Sequence, residues 1–361
     1  MKIALFGLPK TGKTTIFQLL TGLETTEIKY DSSGVAKPHI GTVNVPDERV
    51  DFLHSVFPEH KKIYPQVEYL DIVGLKFGDV KENLLLAHLR QCDLLAHVVR
   101  DFKDESVYHS TGTIDPLKDV LTMEEELLLA DLIVVEGRIE RLKKSLMKNK
   151  NPDDELELET LQKIKTALDK GKPLRELKLS PAEEKSIRSF GFLTLKPLQI
   201  IVNIDEKDIP KADQVTAGIK KELGGKDNVT VSHISANVEK EISEMDSEGV
   251  EMFMDEYGLE KLASERLIED SFNLLGLISF LTYKGNEVRS WQIPEGTTAQ
   301  QAAGEIHTDI EKGFIAAQVI KFDDFKKEPD IAALKQKGLV KVEGKEYIVE
   351  DGDIIDFRFN V

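Results

Sequence analysis

A short segment near the amino terminus carries the residue types that bind nucleotide phosphates. The segment consists of Gly7, Leu8, Pro9, Lys10, Thr11, Gly12, Lys13, Thr14 and Thr15. Its two glycines let backbone N–H groups turn inward toward phosphate oxygens, because no Cβ obstructs them. Lys13 would place a positive charge on the outer phosphates, and Thr14 would offer a hydroxyl to the accompanying Mg²⁺. The spacing matches a Walker A motif, which predicts nucleoside triphosphate binding.

Polar residues with related chemistry follow other apolar segments of the chain. In Asp71–Gly74, the carboxylate of Asp71 can hold a magnesium-bound water and the amide of Gly74 can contact the terminal phosphate. An ordinary turn at the end of a strand is the alternative interpretation. The segments Asn203–Glu206 and Ser235–Asn237 also follow apolar runs, as nucleotide-binding loops do.

The pattern of the flanking residues indicates which elements must position these groups. Lys2–Phe6 is typical of a strand and Thr15–Leu20 has helical spacing, which is the strand, loop and helix order that a Walker A motif requires. Further strands are predicted at 40–45, 63–70, 94–99, 197–202 and 229–234. The carboxyl ends of parallel strands share one edge of a sheet, so all these loops should form one site. The predicted fold class is therefore α/β, with a P-loop NTPase domain.

Two regions depart from the α/β pattern. Apolar residues recur at helical intervals over 123–148 and 156–168, which predicts an α-helical hairpin inserted into the α/β domain. Short alternating strands from residue 280 onward predict a small mixed β/α domain. The predicted domains are the first part of the nucleotide-binding domain at 1–103, the helical insertion at 104–192, the second part of the nucleotide-binding domain at 193–276, and the carboxyl-terminal domain at 277–361.

Composition restricts the environment and the partners of the chain. A net charge of -17 over 361 residues argues against nucleic-acid binding through the whole surface, and no DNA sequence recognition is expected. A local basic face remains compatible with this charge. A single cysteine, Cys92, excludes an internal disulfide framework and suits a reducing compartment. No apolar run approaches the roughly 20 residues of a membrane span, and no signal peptide is evident, so we expect a cytoplasmic protein without membrane contact.

In chain order, these motifs resemble those of translation-factor-class GTPases, and further segments resemble the YchF subfamily of the Obg-like ATPases. Those segments are 97–100, 126–131, 285–291, 302–309, 343–349 and 351–353. The resemblance covers essentially the whole chain. It implies a TGS-like β-grasp fold for the last domain, a coiled coil for the helical insertion, and contact with ribosomes or RNA.

The loop expected to read the base departs from the guanine-specific pattern Asn-Lys-x-Asp. This chain has Ile204 in place of the lysine and Glu206 in place of the aspartate. The extra methylene displaces the carboxylate beyond hydrogen-bonding tolerance, so guanine should lose its specific contacts. The resemblance implies a preference for ATP, with GTP as the alternative. Asn203 could still bond the purine N7, and Ser235 and Ala236 could pack the loop, without distinguishing the bases.

Other departures from the family pattern concern the cations. Lys10 replaces an asparagine that helps to hold a monovalent ion in cation-dependent relatives. We hypothesise that the Lys10 ammonium takes the place of that ion. Stimulation of turnover by potassium would exclude this hypothesis, and a solvated lysine is the alternative. Val35 stands where a magnesium-ligating threonine is expected, and valine cannot coordinate a cation. Either Thr25 or Thr26 substitutes for it, or Thr14, phosphates and water hold the magnesium.

The water-orienting residue is also unusual. Leu75 stands where many GTPases have a glutamine, as a hydrophobic residue does throughout the resembled family, so another group must position the water. His109, in a polar loop after a strand, is the candidate, with an exposed bystander as the alternative. The candidate catalytic residues are therefore His109, Lys13 and Gly74.

A basic segment suggests a nucleic-acid partner. Residues 137–150 carry six basic residues and one acidic residue, and could meet RNA phosphates together with Arg289, Lys312 and Lys321. A solvated helix face is the alternative. The function that these predictions favour is hydrolysis of ATP as a switch on ribosomes or RNA. A conventional GTPase and a nucleotide-gated binding module with little hydrolysis are the alternatives.

Overall fold

The structure is a computed structural model that describes residues 1–25, 37–72, 82–104, 112–223, 226 and 228–360. Within these ranges the strands are β1 (Lys2–Phe6), β2 (His39–Asn44), β3 (Lys61–Ile63), β4 (Gln66–Asp71), β5 (Leu94–Arg100), β6 (Leu198–Asn203), β7 (Val229–Ile234), β8 (Leu277–Thr282), β9 (Glu287–Pro294), β10 (Phe314–Ile320), β11 (Lys341–Glu343) and β12 (Ile354–Phe359).

The helices in the same ranges are α1 (Lys13–Thr21), α2 (Glu48–Val56), α3 (Glu82–Arg90), α4 (Pro116–Leu146), α5 (Pro152–Leu168), α6 (Pro181–Ile187), α7 (Ala212–Leu223), α8 (Ala236–Ser243), α9 (Ser247–Tyr257), α10 (Ala263–Leu274), α11 (Ala299–Ile306), α12 (Thr308–Lys312), α13 (Phe322–Lys327) and α14 (Ile331–Gln336). None of these helices combines the length and the apolarity needed to cross a lipid bilayer.

The first sheet carries the predicted loops. In the described residues its strand order is β2-β4-β1-β5-β6-β7, and the strands from β4 to β7 run parallel. β1, β5 and β6 are almost wholly buried, which explains their continuous runs of Leu, Ile and Val. The predicted α/β fold is confirmed. Because β1, β4, β6 and β7 are parallel, the loops after them meet at one edge of the sheet.

Helices cover both faces of this sheet. On one face, Leu89 of α3, Leu127 of α4 and Ile219 of α7 join the core formed by alternate strand residues. On the opposite face, the hydroxyl groups of Tyr69 and Ser271 of α10 lie 3.0 Å apart in a buried hydrogen bond. The sheet is therefore the rigid support of the edge that carries the loops.

The predicted helical hairpin is present as α4 and α5. Each helix begins with a side-chain cap followed by proline: Asp115 accepts from Lys118 N, and Asn151 accepts from Asp153 N. The two helices bury an apolar seam formed by Val135, Ile139, Leu142, Leu161 and Ile164. α4 begins at Pro116, earlier than the periodicity at 123 predicts, because its first turns pack on the sheet and not on α5.

Asp131 of α4 anchors the hairpin to the sheet domain. Its side chain is fully buried, and its two oxygens accept from Leu193 N at 3.0 Å, Thr194 N at 2.8 Å, Thr194 Oγ1 at 2.9 Å and Arg90 Nη1 at 2.8 Å. This carboxylate thus joins α4, the end of α3 and the segment that leads into β6. It gives a physical role to the segment 126–131, which the sequence offered only as a family resemblance.

The second sheet belongs to a separate compact unit, which comprises residues 44–67 and 275–361. Its strand order in the described residues is β11-β10-β12-β8-β9-β3. Phe280 and Val319 pack with Ala302 of α11, whereas Leu281 and Ile320 pack with α2, α13 and α14. The sheet is thus covered on both faces, which accounts for its buried alternating residues.

The predicted first part of the nucleotide-binding domain, 1–103, includes residues 44–67, which the structure groups with the second compact unit. The chain over 63–70 was predicted as one strand, but it forms β3 and β4 with Pro65 between them. β4 joins the first sheet, whereas β3 pairs in parallel with β9 from Lys61↔Glu287 to Ile63↔Arg289. The helical insertion is grouped with the first unit, which comprises 1–43 and 68–274.

Two aspartates of the segment 351–353 stabilise the second unit. Asp351 accepts from Arg49 Nη1 at 2.7 Å and from Ser279 N at 2.8 Å. Asp353 is fully buried and accepts from Lys321 Nζ at 2.7 Å. These contacts connect α2, β8 and the end of β10, so the motif has a structural function within the unit.

Candidate nucleotide-binding site

At two positions of the loop after β1, the backbone conformation and the close neighbours permit only glycine. Gly7 has φ +140°, and a Cβ there would lie 2.4 Å from the carbonyl oxygen of Val98. Gly12 has φ +93°, and its Cβ would lie 2.3 Å from Asn203 Nδ2. Lys10 also has a positive φ of 64°, which asparagine tolerates better than lysine. The conformation explains why glycine occupies both positions of the motif.

Lys13 is the first residue of α1, next to the N-terminal N–H groups of the helix. Gly12 is the N-cap residue and provides no side-chain acceptor, so the first turn retains donors for an anion. Lys13 is 5% exposed, and its Nζ donates to Leu8 O at 2.6 Å. Burial lowers the pKa of Lys13 to about 8, and the nearby Asp71 partly opposes this effect. Thr11 is also buried, and its hydroxyl donates to Leu8 O.

Thr14 and Asp71 lie together beside the loop. Thr14 Oγ1 donates to Asp71 Oδ2 at 2.8 Å, and His39 Nδ1 lies 3.4 Å from the same oxygen. Asp71 Oδ1 is buried and has no hydrogen-bond partner in the described part of the chain. An orphaned carboxylate oxygen beside a hydroxyl provides the oxygen donors that Mg²⁺ prefers, so these residues fit the ion. His39 was not a candidate from the sequence, because nothing in its local pattern points to Asp71.

Asn203 joins two loops of the site. Its Nδ2 donates to Thr11 O at 3.1 Å, and its Oδ1 accepts from Ala236 N at 3.1 Å. The side chain is 3% exposed, with Ser235 as the N-cap residue of α8 beside it. The amide therefore holds the loop after β1 against the β7–α8 loop, whereas a contact with the purine N7 stays a prediction.

Glu206 lies at the rim of an open cavity of about 410 Å³. This volume is within the range of small-ligand sites, and the cavity is lined by Phe102, Lys103, Asp104, Asn203, Ile204, Asp205, Glu206, Ser235, Asn237, Val238 and Glu241. Glu206 is exposed, and its Oε1 accepts from the hydroxyl of Tyr257 at 3.0 Å. In contrast, the side chain of Ile204 is buried in the core, where it supports the loop from beneath.

The chain is similar to known proteins over its whole length. Residues 2–136 match the family of 50S ribosome-binding GTPases, and residues 277–360 match YchF-GTPase_C, a family described as a protein of unknown function. The chain is 37% identical to the ribosome-binding ATPase YchF of Bacillus subtilis (strain 168), over 98% of each chain. This chain belongs to the YchF family. It is also 38% identical to the ribosome-binding ATPase YchF of Escherichia coli O157:H7, over 100% of this chain and 99% of the relative.

A solved structure of a YchF protein has the same architecture. The YchF GTPase of Schizosaccharomyces pombe matches with a TM-score of 0.85 and 29% identity, over 99% of this chain and 97% of that chain. The family and the fold expected from the sequence are thus confirmed.

Arg100, at the end of β5, shapes one wall of the cavity. Its Nε donates to Phe102 O at 3.0 Å and its Nη2 to Asp104 O at 3.1 Å. The guanidinium also lies 4.4 Å from the centroid of the Phe102 ring. In the sequence, Arg100 is singled out only as part of the segment 97–100, which carries the family resemblance. The signal that could have identified it is an arginine at the end of a buried strand.

Several sequence-based candidates lie outside the described residues. These are Thr26, Val35, Gly74, Leu75 and His109. Thr25 is described, and its hydroxyl accepts from Gln18 Nε2 at 3.0 Å. The roles of all these residues stay predictions, and so does the choice between Thr25, Thr26 and water as the replacement for the expected threonine.

Proposed function

We propose that the protein binds ATP with Mg²⁺, hydrolyses it to ADP and phosphate, and uses the nucleotide state as a switch on a ribosome or an RNA-containing partner. The observation that carries this proposal is the convergence of Lys13, Thr14 and Asp71 at the amino-terminal end of α1, at the same sheet edge as the cavity of Glu206. The names of its YchF relatives support the same function.

Each side chain of the phosphate site has a distinct role. The Lys13 ammonium and the first N–H groups of α1 would bind the outer phosphate oxygens. Thr14 and Asp71 would hold Mg²⁺, which supplies neutralisation of the phosphate charge when it is bound. Within the described residues no group of three or more His, Cys, Asp or Glu side chains could hold a metal by itself. Phosphate oxygens and water would therefore complete the coordination.

Two further roles in the reaction are proposed from the sequence. The amide of Gly74 would contact the terminal phosphate. His109 would orient the attacking water, because this chain has Leu75 where many GTPases have a glutamine. A histidine within reach of water can accept its proton, which is the chemistry that the missing glutamine does not provide.

Glu206 favours adenine at the base site. Guanine presents two adjacent donors, which the aspartate of the guanine-specific pattern accepts with both carboxylate oxygens. The longer side chain of Glu206 does not reproduce that distance, whereas the exocyclic amine of adenine requires a single acceptor. We therefore expect ATP to bind more tightly than GTP.

Competition between unlabelled ATP and GTP for a fluorescent analogue, with Mg²⁺ present, tests the choice of nucleotide. The expected result is that ATP binds at least about tenfold more tightly, which corresponds to about 1.4 kcal/mol. Tighter binding of GTP would return the protein to the conventional GTPases. Phosphate release in a single turnover then distinguishes a hydrolase from a nucleotide-gated binding module.

The carboxyl-terminal part of α4 and the turn after it supply the surface that we propose for RNA. Arg138 is paired with Glu157 at 2.6 Å, but the other basic residues of the segment are exposed, namely Arg141, Lys143, Lys144, Lys148 and Lys150. Exposed cations are accessible to RNA phosphates, and the binding free energy that they contribute decreases as the salt concentration rises.

Reversal of the charges at Lys143 and Lys144 to glutamate should weaken ribosome or RNA binding and reduce its salt dependence. Sedimentation with ribosomes over a range of salt concentrations measures this effect. The matched control is the reversal of Lys170 and Lys172, which are exposed beyond the other end of α5. Unchanged salt-sensitive binding after reversal at Lys143 and Lys144 would mean that this part of the hairpin is a solvated helix face.

A further inference from the structure

Tyr257 contacts the residue that is expected to read the base. It is the last residue of α9, and its hydroxyl donates to Glu206 Oε1 at 3.0 Å. The two residues are 51 positions apart in the chain. Within the described residues, Tyr257 is thus the side chain that hydrogen-bonds the Glu206 carboxylate.

The position of Tyr257 is itself well defined. Gly258, with φ +62°, ends α9, and Leu259 N donates to Met254 O at 2.8 Å, which completes a Schellman motif. The ring of Phe253 stacks on the ring of Tyr257 with a centroid distance of 4.4 Å. Rotation of the phenol away from Glu206 would break this stack.

Apolar side chains of α9 and of the residues after it lie near the loop after β6, which carries Glu206. Phe253 and Leu259 line the same small cavity, of about 30 Å³, as Ile204. Ile204 is two residues before Glu206 and is itself buried. The helix that carries Tyr257 and the loop that carries Glu206 are therefore neighbours within the first unit.

We propose that Tyr257 is a positioning residue for base selection, which holds the Glu206 carboxylate by one oxygen so that the other accepts the exocyclic amine of adenine. This inference rests on the proposed ATP function. An ionised carboxylate is an acceptor only, and both of its oxygens are needed to bind the paired donors of guanine. A carboxylate held by one oxygen retains a site for a single donor, which adenine provides.

The protonation of Tyr257 is consistent with this role. The hydrogen bond to Glu206 raises the pKa of the Tyr257 phenol above its usual value. The phenol therefore remains a hydrogen-bond donor to Glu206 throughout the neutral pH range.

The variant Tyr257→Phe removes the hydroxyl and retains the ring that stacks on Phe253. Dissociation constants are to be measured for ATP, GTP and purine riboside triphosphate, which lacks the exocyclic amine. We expect ATP binding to weaken by about fivefold, and binding of the other two nucleotides to change by less than about twofold. Tyr283→Phe, which removes a hydroxyl in the second unit, is the control and should leave all three constants unchanged.

A double-mutant cycle with Glu206→Gln separates positioning from a purely structural role. If Tyr257 acts through the carboxylate, Tyr257→Phe should have no further effect on ATP binding in the Glu206→Gln background. Equal weakening of all three nucleotides by Tyr257→Phe, or a full effect in the Glu206→Gln background, would overturn the inference. Preference of the unaltered protein for GTP would overturn the proposed function instead, and the inference with it.

Discussion

Replacement of Lys13 with methionine should weaken ATP binding by about 100-fold and reduce turnover at least as much. The ammonium is 5% exposed and lies next to the first turn of α1, where water screens it little. Methionine retains most of the apolar volume of the stem, so the loss should report the missing charge and not a collapsed loop. Calorimetric titration with ATP and single-turnover phosphate release measure the two effects.

Lys185→Met is the matched control for this substitution. Lys185 is exposed on α6 and contributes nothing to the loop after β1, so its replacement should leave both quantities unchanged. Retention of ATP affinity within about threefold by Lys13→Met would contradict the assignment of Lys13 to the phosphates.

The same ammonium should give ATP binding a defined pH dependence. The pKa of Lys13 is about 8 in the nucleotide-free protein, and bound phosphates favour the charged form and raise it. ATP affinity should therefore be constant below pH 8 and fall by up to about tenfold for each pH unit above it. Lys13→Arg should bind ATP without this pH dependence.

The free energy of unfolding of the nucleotide-free protein should change in the opposite direction from ATP affinity. It should rise between pH 8 and 10.5, because the unfolded chain binds more protons than the folded chain in that range.

Replacement of Asp131 with alanine should lower the free energy of unfolding by about 3–5 kcal/mol. The substitution leaves the buried N–H groups of Leu193 and Thr194 without their side-chain acceptor, and it removes the carboxylate that pairs with the Arg90 guanidinium. Each unsatisfied donor carries its own desolvation cost. Denaturation in urea, followed by circular dichroism, measures the change.

Asp169→Ala provides the comparison for Asp131→Ala. Asp169 is half exposed and pairs with Lys165 at 2.9 Å, so its loss should cost less than about 1 kcal/mol. If the two variants had equal stability, the buried carboxylate would not be the anchor of the hairpin that its contacts indicate.

The sequence by itself determined the local parts of this protein. The glycines at 7 and 12, the apolar run before them and the helical spacing after them predicted the loop and its strand and helix correctly. Backbone conformation at such positions depends on residues within a few places of each other, because the absence of a Cβ and the period of apolar residues act over short distances. The helical hairpin was predictable for the same reason.

Only the tertiary structure decided which distant segments meet. The sequence of residues 61–63 does not specify which sheet they join, and pairing with β9 places them in the second unit. Asn203 reaches Thr11 across 192 positions of the chain, and Tyr257 reaches Glu206 across 51. Such contacts depend on how whole elements pack, and local periodicity does not specify the partner of a strand or of a polar side chain. The Walker A motif could thus be predicted from the sequence, whereas the residues that hold the side chains of the site in place could not.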